Sequence, residues 1–244
     1  MVTIHRYIFR LDFKPCYDVL DRPGQALSIL APPSKEGYWS ALGLNRDRTG
    51  VSASKNDDSN GENLNITMES NSLSGSYASK EGFHLEDLIE QDFLNSASKF
   101  SEELLSKFQI VKIERIGFRI LAVGGTQVRF GDNVERATSN MYNTELIAEI
   151  SKIGVLTDLG VIVEGKLPSE TLFRFSTGPG GALDRERLFE LKPEKDQAPH
   201  AFTLDLDLSE KEIDFSKTTL YRWVKARIPN ITNFAETSRK HLEN

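Results

Sequence analysis

One strand pattern is written twice in this chain, and that repetition constrains the fold more than any other feature. The first copy reads Ile4-His5-Arg6-Tyr7-Ile8-Phe9-Arg10-Leu11 and the second Ile113-Glu114-Arg115-Ile116-Gly117-Phe118-Arg119-Ile120. Ile, Arg, Phe and Arg coincide in one register, and Leu11 matches Ile120. Each copy opens a run of alternating segments that ends in a long amphipathic stretch. A repeated order of elements predicts a repeated supersecondary unit. The competing reading is a chance likeness between two buried strands, which draw on a small alphabet.

The elements follow from periodicity. Tyr7, Phe9, Leu11 and Phe13 lie on one side of the opening strand, with Arg6, Arg10 and Asp12 on the other. Further strands are expected at 25–30, 37–43, 48–54, 62–69 and 73–79, joined by tight turns at Asn60-Gly61 and 69–72 as an antiparallel meander. From 84 to 108 the period changes: Leu85, Leu88, Ile89, Phe93, Ala97, Phe100, Leu104 and Phe108 recur at three- and four-residue steps, which predicts one uninterrupted helix lying across a sheet. A second long strand follows at 110–123, ended by Gly124-Gly125. Helices are expected at 133–139 and 143–152, and strands at 156–165, 169–176, 186–192 and 200–208. A closing helix spans 215–242, with Ser216 as its N-cap and an interruption at Pro229.

The expectation is an α+β protein of two similar halves, 1–108 and 109–244, each an antiparallel sheet packed by a long helix and related by a pseudo-twofold. That layout resembles helix-grip or TBP-like folds, which carry no function by themselves. Three segments also resemble an uncharacterised, sporadically distributed family of bacterial proteins: Arg115-Ile116-Gly117-Phe118-Arg119, Thr203-Leu204-Asp205-Leu206-Asp207, and the closing helix with Phe234 after Leu220. The resemblance covers the second half of the chain. It implies accessory or defence-related cargo, and, the family having no agreed catalytic residues, it carries none over to this chain.

The residues with most chemical potential are Arg6, Arg10, Arg115 and Arg119. Two Arg four apart on a strand share one face at about 13 Å. With both opening strands side by side, four guanidinium groups could hold phosphates or carboxylates. The alternative is ordinary cross-strand pairing with Asp12, Asp205 and Asp207. Asp205 and Asp207, with Glu210 and Glu212, could be read as ligands of a divalent ion in a hydrolase. Alternating acids are also what any polar strand face produces, and no His completes a set. His5, His84, His200 and His241 lack metal-pair spacing, and no nucleophile motif accompanies them. Ser176-Thr177-Gly178-Pro179-Gly180-Gly181 could cradle an anion, but it lacks the Lys-Ser/Thr ending of a phosphate loop and reads as a hairpin turn. Trp39, Tyr221 and Trp223 read as packing residues.

Composition removes several classes of function. Thirty Lys and Arg against 36 Asp and Glu leave a net charge of −6, so non-specific nucleic-acid binding is not expected. One cysteine, Cys16, admits no internal disulfide and no Cys-rich zinc site. No apolar run nears the roughly 20 residues of a membrane span, and the alternating start reads as a strand rather than a signal peptide. The expected compartment is the cytoplasm. No cofactor or metal is expected. The leading reading is a non-catalytic binding or assembly subunit with another protein as partner. The runner-up is a module that binds an anionic, nucleotide-like small molecule on the Arg-bearing face.

Overall fold

A computed structural model describes residues 2–31, 38–45, 49–57, 61–125, 144–153, 160–179 and 201–243. The described strands are β1 (Val2–Asp12), β2 (Ala41–Leu44), β3 (Gly50–Asp57), β4 (Glu62–Glu69), β5 (Ser72–His84), β6 (Lys112–Gly125), β7 (Val161–Lys166), β8 (Leu172–Pro179) and β9 (Ala201–Asp214). The helices are α1 (Asp18–Asp21), α2 (Pro23–Leu30), α3 (Asp92–Lys107), α4 (Thr144–Ile153), α5 (Leu220–Lys225) and α6 (Ile228–Glu243). The strands form one antiparallel sheet in the order β2-β3-β4-β5-β1-β6-β9-β8-β7. The chain is therefore α+β, as the alternation of periods implies. None of the described helices is long and apolar enough to cross a membrane.

The two opening strands meet at the centre. β1 pairs with β6 antiparallel, with Phe9 directly opposite Phe118. On either side the last strand of the following meander returns to the opening strand, β5 to β1 and β9 to β6. Period-two alternation then divides the sheet into two faces. One face carries Tyr7, Phe9 and Leu11, then Ile116, Phe118 and Ile120, then Leu204, Leu206 and Leu208, all buried. The helices cover it: α2 lies on β3, α3 on β5, and α6 on β6, β8 and β9. Each of these large side chains contributes about 1.5–3 kcal/mol on leaving water. Gly75, opposite Phe9, is required for this packing. The Phe9 ring occupies the space a side chain would take, and a Cβ there would fall 2.4 Å from a ring carbon.

Ile4 and Tyr7 are both buried although they are three residues apart. A register shift between Ile4 and Arg6 makes this possible by inserting one extra residue. Ile113 and Ile116 repeat the spacing and are also buried.

Several expectations are corrected. Residues 25–30 are not a strand but most of α2, whose first turn carries Pro23 and whose buried Ala26 and Leu30 lie four apart. A six-residue segment with Gln25 and Ser28 among four apolar residues does not distinguish the two periods, whereas Pro at the start of a helix does. The predicted helix over 84–108 is broken at Gln91, which is extended (φ −61°, ψ 122°); a 3₁₀ turn, Leu85–Glu90, precedes it and α3 follows. The closing helix is likewise two helices, α5 and α6, with Pro229 in the first turn of α6. Thr219, not Ser216, caps α5, accepting from Arg222 N–H at 3.3 Å. Ser216 instead donates to Asp214 at 2.6 Å and closes the turn after β9. The expected elements at 133–139 and 186–192 lie outside the described residues, as do Gly180, Gly181 and His200.

Candidate functional site

The other face of the sheet holds the charged residues of the central strands. Arg6, Arg10 and Asp12 on β1, Arg115 and Arg119 on β6, and Asp205 and Asp207 on β9 all project there, because each sits one step out of phase with the buried apolar row. Sequence reasoning placed the four Arg on one face, and the strand pairing does bring them together.

Three of the four are engaged with carboxylates. Arg119 makes a bidentate pair with Asp205, donating from Nε at 2.8 Å and from Nη2 at 2.6 Å. Those two hydrogen bonds hold the Arg119 guanidinium above its ordinary pKa. Arg10 Nε donates to Asp12 at 2.6 Å. Arg115 Nη2 stands 4.0 Å from Asp207 Oδ2, an ion pair without a short hydrogen bond. Arg6 lies opposite Leu121 and Ala78, and its Nε is buried with no hydrogen-bond partner among the described residues. Asp207 has three Arg around it, Arg115, Arg119 and Arg174. Burial nonetheless raises its carboxyl above the usual range, with the guanidinium groups opposing the shift.

Asp205 and Asp207 therefore act as partners of Arg on this face. Among the described residues no group of three or more His, Cys, Asp and Glu is placed to hold a metal ion. His5 Nδ1 is 3.2 Å from the Ser79 carbonyl, and burial lowers its pKa. His84 precedes the 3₁₀ turn.

A second polar cluster, unforeseen in the sequence, lies on the covered face. Glu210 Oε2 accepts from Trp223 Nε1 at 3.0 Å and pairs with Arg227 Nη2. The Arg227 guanidinium stacks 4.0 Å over the Trp223 ring, donates to Thr171 Oγ1 at 3.2 Å and reaches the Trp223 carbonyl at 3.0 Å. Burial pulls Arg227 below its ordinary pKa against the attraction of Glu210. The cluster ties β8 and β9 to the α5–α6 junction. One signal for it was present: along Phe202, Leu204, Leu206 and Leu208 the next inward position is Glu210, an acid where alternation calls for an apolar residue. Trp223 and Arg227, four apart on a helical stretch, supply its partners.

Compared with known proteins, the sequence matches no family model and no curated protein.

Proposed function

We propose that the chain is a non-catalytic binding or assembly subunit, built from two descendants of one sheet-plus-helix unit spanning 1–108 and 109–244. The order of connections supports the duplication. In each span an opening strand is followed by helical segments, then a meander whose last strand pairs with the opener, then a long helix. Phe9 and Phe118, matched in the two sequence copies, are also directly opposite in the β1–β6 register. A twofold axis through that pair would carry Ile4 onto Ile113, Arg6 onto Arg115 and Arg10 onto Arg119.

The assembly reading rests chiefly on exposed apolar side chains. On α4, Leu146, Ile150 and Ile153 form one helical stripe and are 53%, 39% and 89% exposed. On the outermost strand β7, Ile162 and Val163 are 61% and 44% exposed. Grouped exposed apolar residues mark interaction surfaces, and the β7 edge, unpaired among the described residues, offers further hydrogen bonds to a partner. The test is native purification of the tagged chain from its own host, with Ile150→Asp and Ile162→Asp in parallel. A stoichiometric partner retained by the wild type and lost from either variant supports the reading. Wild-type chain that elutes alone as a monomer contradicts it.

A further inference from the structure

The open face contains a groove of about 540 Å³ over β6, β9, β8 and β7 whose chemistry differs from that of the paired Arg at the sheet centre. Its walls carry Arg115 from β6 and Arg174 from β8, with Asp207 and Ser209 between them on β9. Glu164 and the 42% exposed Leu172 lie towards the sheet edge. Lys166, which also lines the groove, is paired with Glu170.

Two observations set this place apart. The first is how loosely its guanidinium groups are held. Arg115 Nη2 is 4.0 Å from Asp207 Oδ2, and Arg174 Nε is 3.4 Å from Glu164 Oε1. A charge-assisted N–H···O bond is roughly 2.7–2.9 Å, the range that Arg119 and Asp205 approach at 2.6 and 2.8 Å on the same face. Both forks therefore keep donors for another oxyanion. The second is the cross-strand row next to Arg115. Gly117, Ser209 and Leu172 form one cross-strand row, and Gly117 contributes no side chain to it. A Cβ added at Gly117 would lie 3.9 Å from Arg115 Nη2 and from the Leu208 carbonyl oxygen. The row thus passes beside the guanidinium group, and its Ser209 and Leu172 line the groove.

We propose that this groove is a binding site for a small molecule bearing a carboxylate or phosphate group. The oxyanion sits between Arg115 and Arg174, where bidentate contact is available from either side. A hydroxyl or ammonium group of the ligand donates to Asp207, and an apolar portion lies on Leu172. Arg6 and Arg10, on β1 and outside the groove, take no part. The proposal is independent of the assembly reading, since it requires neither α4 nor a second chain.

The test is calorimetric titration of the full chain with inorganic phosphate, citrate and adenosine monophosphate as separate probes. The expected result is saturable binding of at least one probe at millimolar or tighter affinity. Arg115→Ala and Arg174→Gln should each weaken it by at least about tenfold, and Arg22→Ala, an exposed pair with Asp18 remote in sequence, should leave it unchanged. Gly117→Val should crowd the Arg115 guanidinium and weaken binding, with the melting temperature of the unliganded variant showing that it still folds. Phosphate and citrate separate the two oxyanion classes. Absence of binding by all three probes up to about 10 mM overturns the site. So does binding that survives in either Arg variant, or binding that Arg22→Ala weakens equally.

Discussion

The covered face of the sheet is held differently on its two flanks. Beside β5, Tyr7 stacks on Tyr77 with ring centroids 5.3 Å apart, while Phe83, Phe93 and Phe118 complete an aromatic cluster within 6.2 Å of Tyr7. Beside β9, the position that answers to Tyr77 two steps from the Phe9–Phe118 row is Glu210, and the helices are held by its ion pair with Arg227 and by Trp223. One flank anchors its helix by apolar area, which tolerates changes of pH and salt. The other adds a partly buried charge pair to its apolar contacts, among them Phe234 on Phe173 and Phe175, and such a pair is more costly to break on one side alone than to replace whole. The same sheet-and-helix layout can thus be closed by either chemistry.

The aromatic flank should suffer most from lost volume. Phe9→Ala removes a fully buried ring that also covers Gly75, and is expected to cost about 3–5 kcal/mol in chemical denaturation. A loss below about 1 kcal/mol would show that this row is not the packed centre of the sheet. The charged flank should show strong non-additivity. Arg227→Met leaves the partly buried Glu210 without its cation and is expected to cost about 2 kcal/mol, whereas Glu210→Leu combined with Arg227→Met should recover most of that loss. Equal damage in the single and double variants would mean that the pair is not coupled.

The open face should respond weakly, and with a defined pH dependence. Asp207 has its pKa raised by burial, so its ionised form is less stable in the folded protein than in the unfolded one. The cost is fully present above the raised value and disappears below the ordinary carboxylate value of 3.8. Asp207→Asn should therefore raise the melting temperature slightly near neutrality, with the gain shrinking to nothing as the pH falls into that range. A gain that grows on acidification would reverse the assignment. Smallest of all, Arg10→Ala removes an exposed pair with Asp12 and should change stability by less than about 1 kcal/mol.

Much of this arrangement could be read from the chain, for reasons that differ by region. Strands β1, β6 and β9 are long and alternate outside the irregular steps near His5 and Glu114, so their inward rows and the common face of the four Arg follow from period two. The shift near His5 was encoded in the spacing of Ile4 and Tyr7, which no regular strand can bury together. The break at Gln91 left no mark, because neither Gly nor Pro stands there and the apolar positions keep their helical phase across it. Arg174 was passed over because a single Arg in β8 acquires meaning only when β9 places Asp207 opposite it. Glu210 stood in plain view as an acid in an apolar row, but its cation comes from the α5–α6 turn 17 residues further along the chain.

The central claim is that two copies of one unit meet along β1 and β6 with Phe9 facing Phe118. Its most direct test is disulfide trapping in a Cys16→Ser background. Arg10 and Gly117 face each other across the two strands, as do Ile8 and Arg119, and the proposed twofold axis exchanges these two pairs. Arg10→Cys with Gly117→Cys and, separately, Ile8→Cys with Arg119→Cys should each give an intramolecular cross-link under mild oxidation, read by mass spectrometry of non-reduced peptides. Arg10→Cys with Ile113→Cys should not. Cross-linking of the last pair with failure of the first two would place the strands in another register and remove the basis for a shared axis.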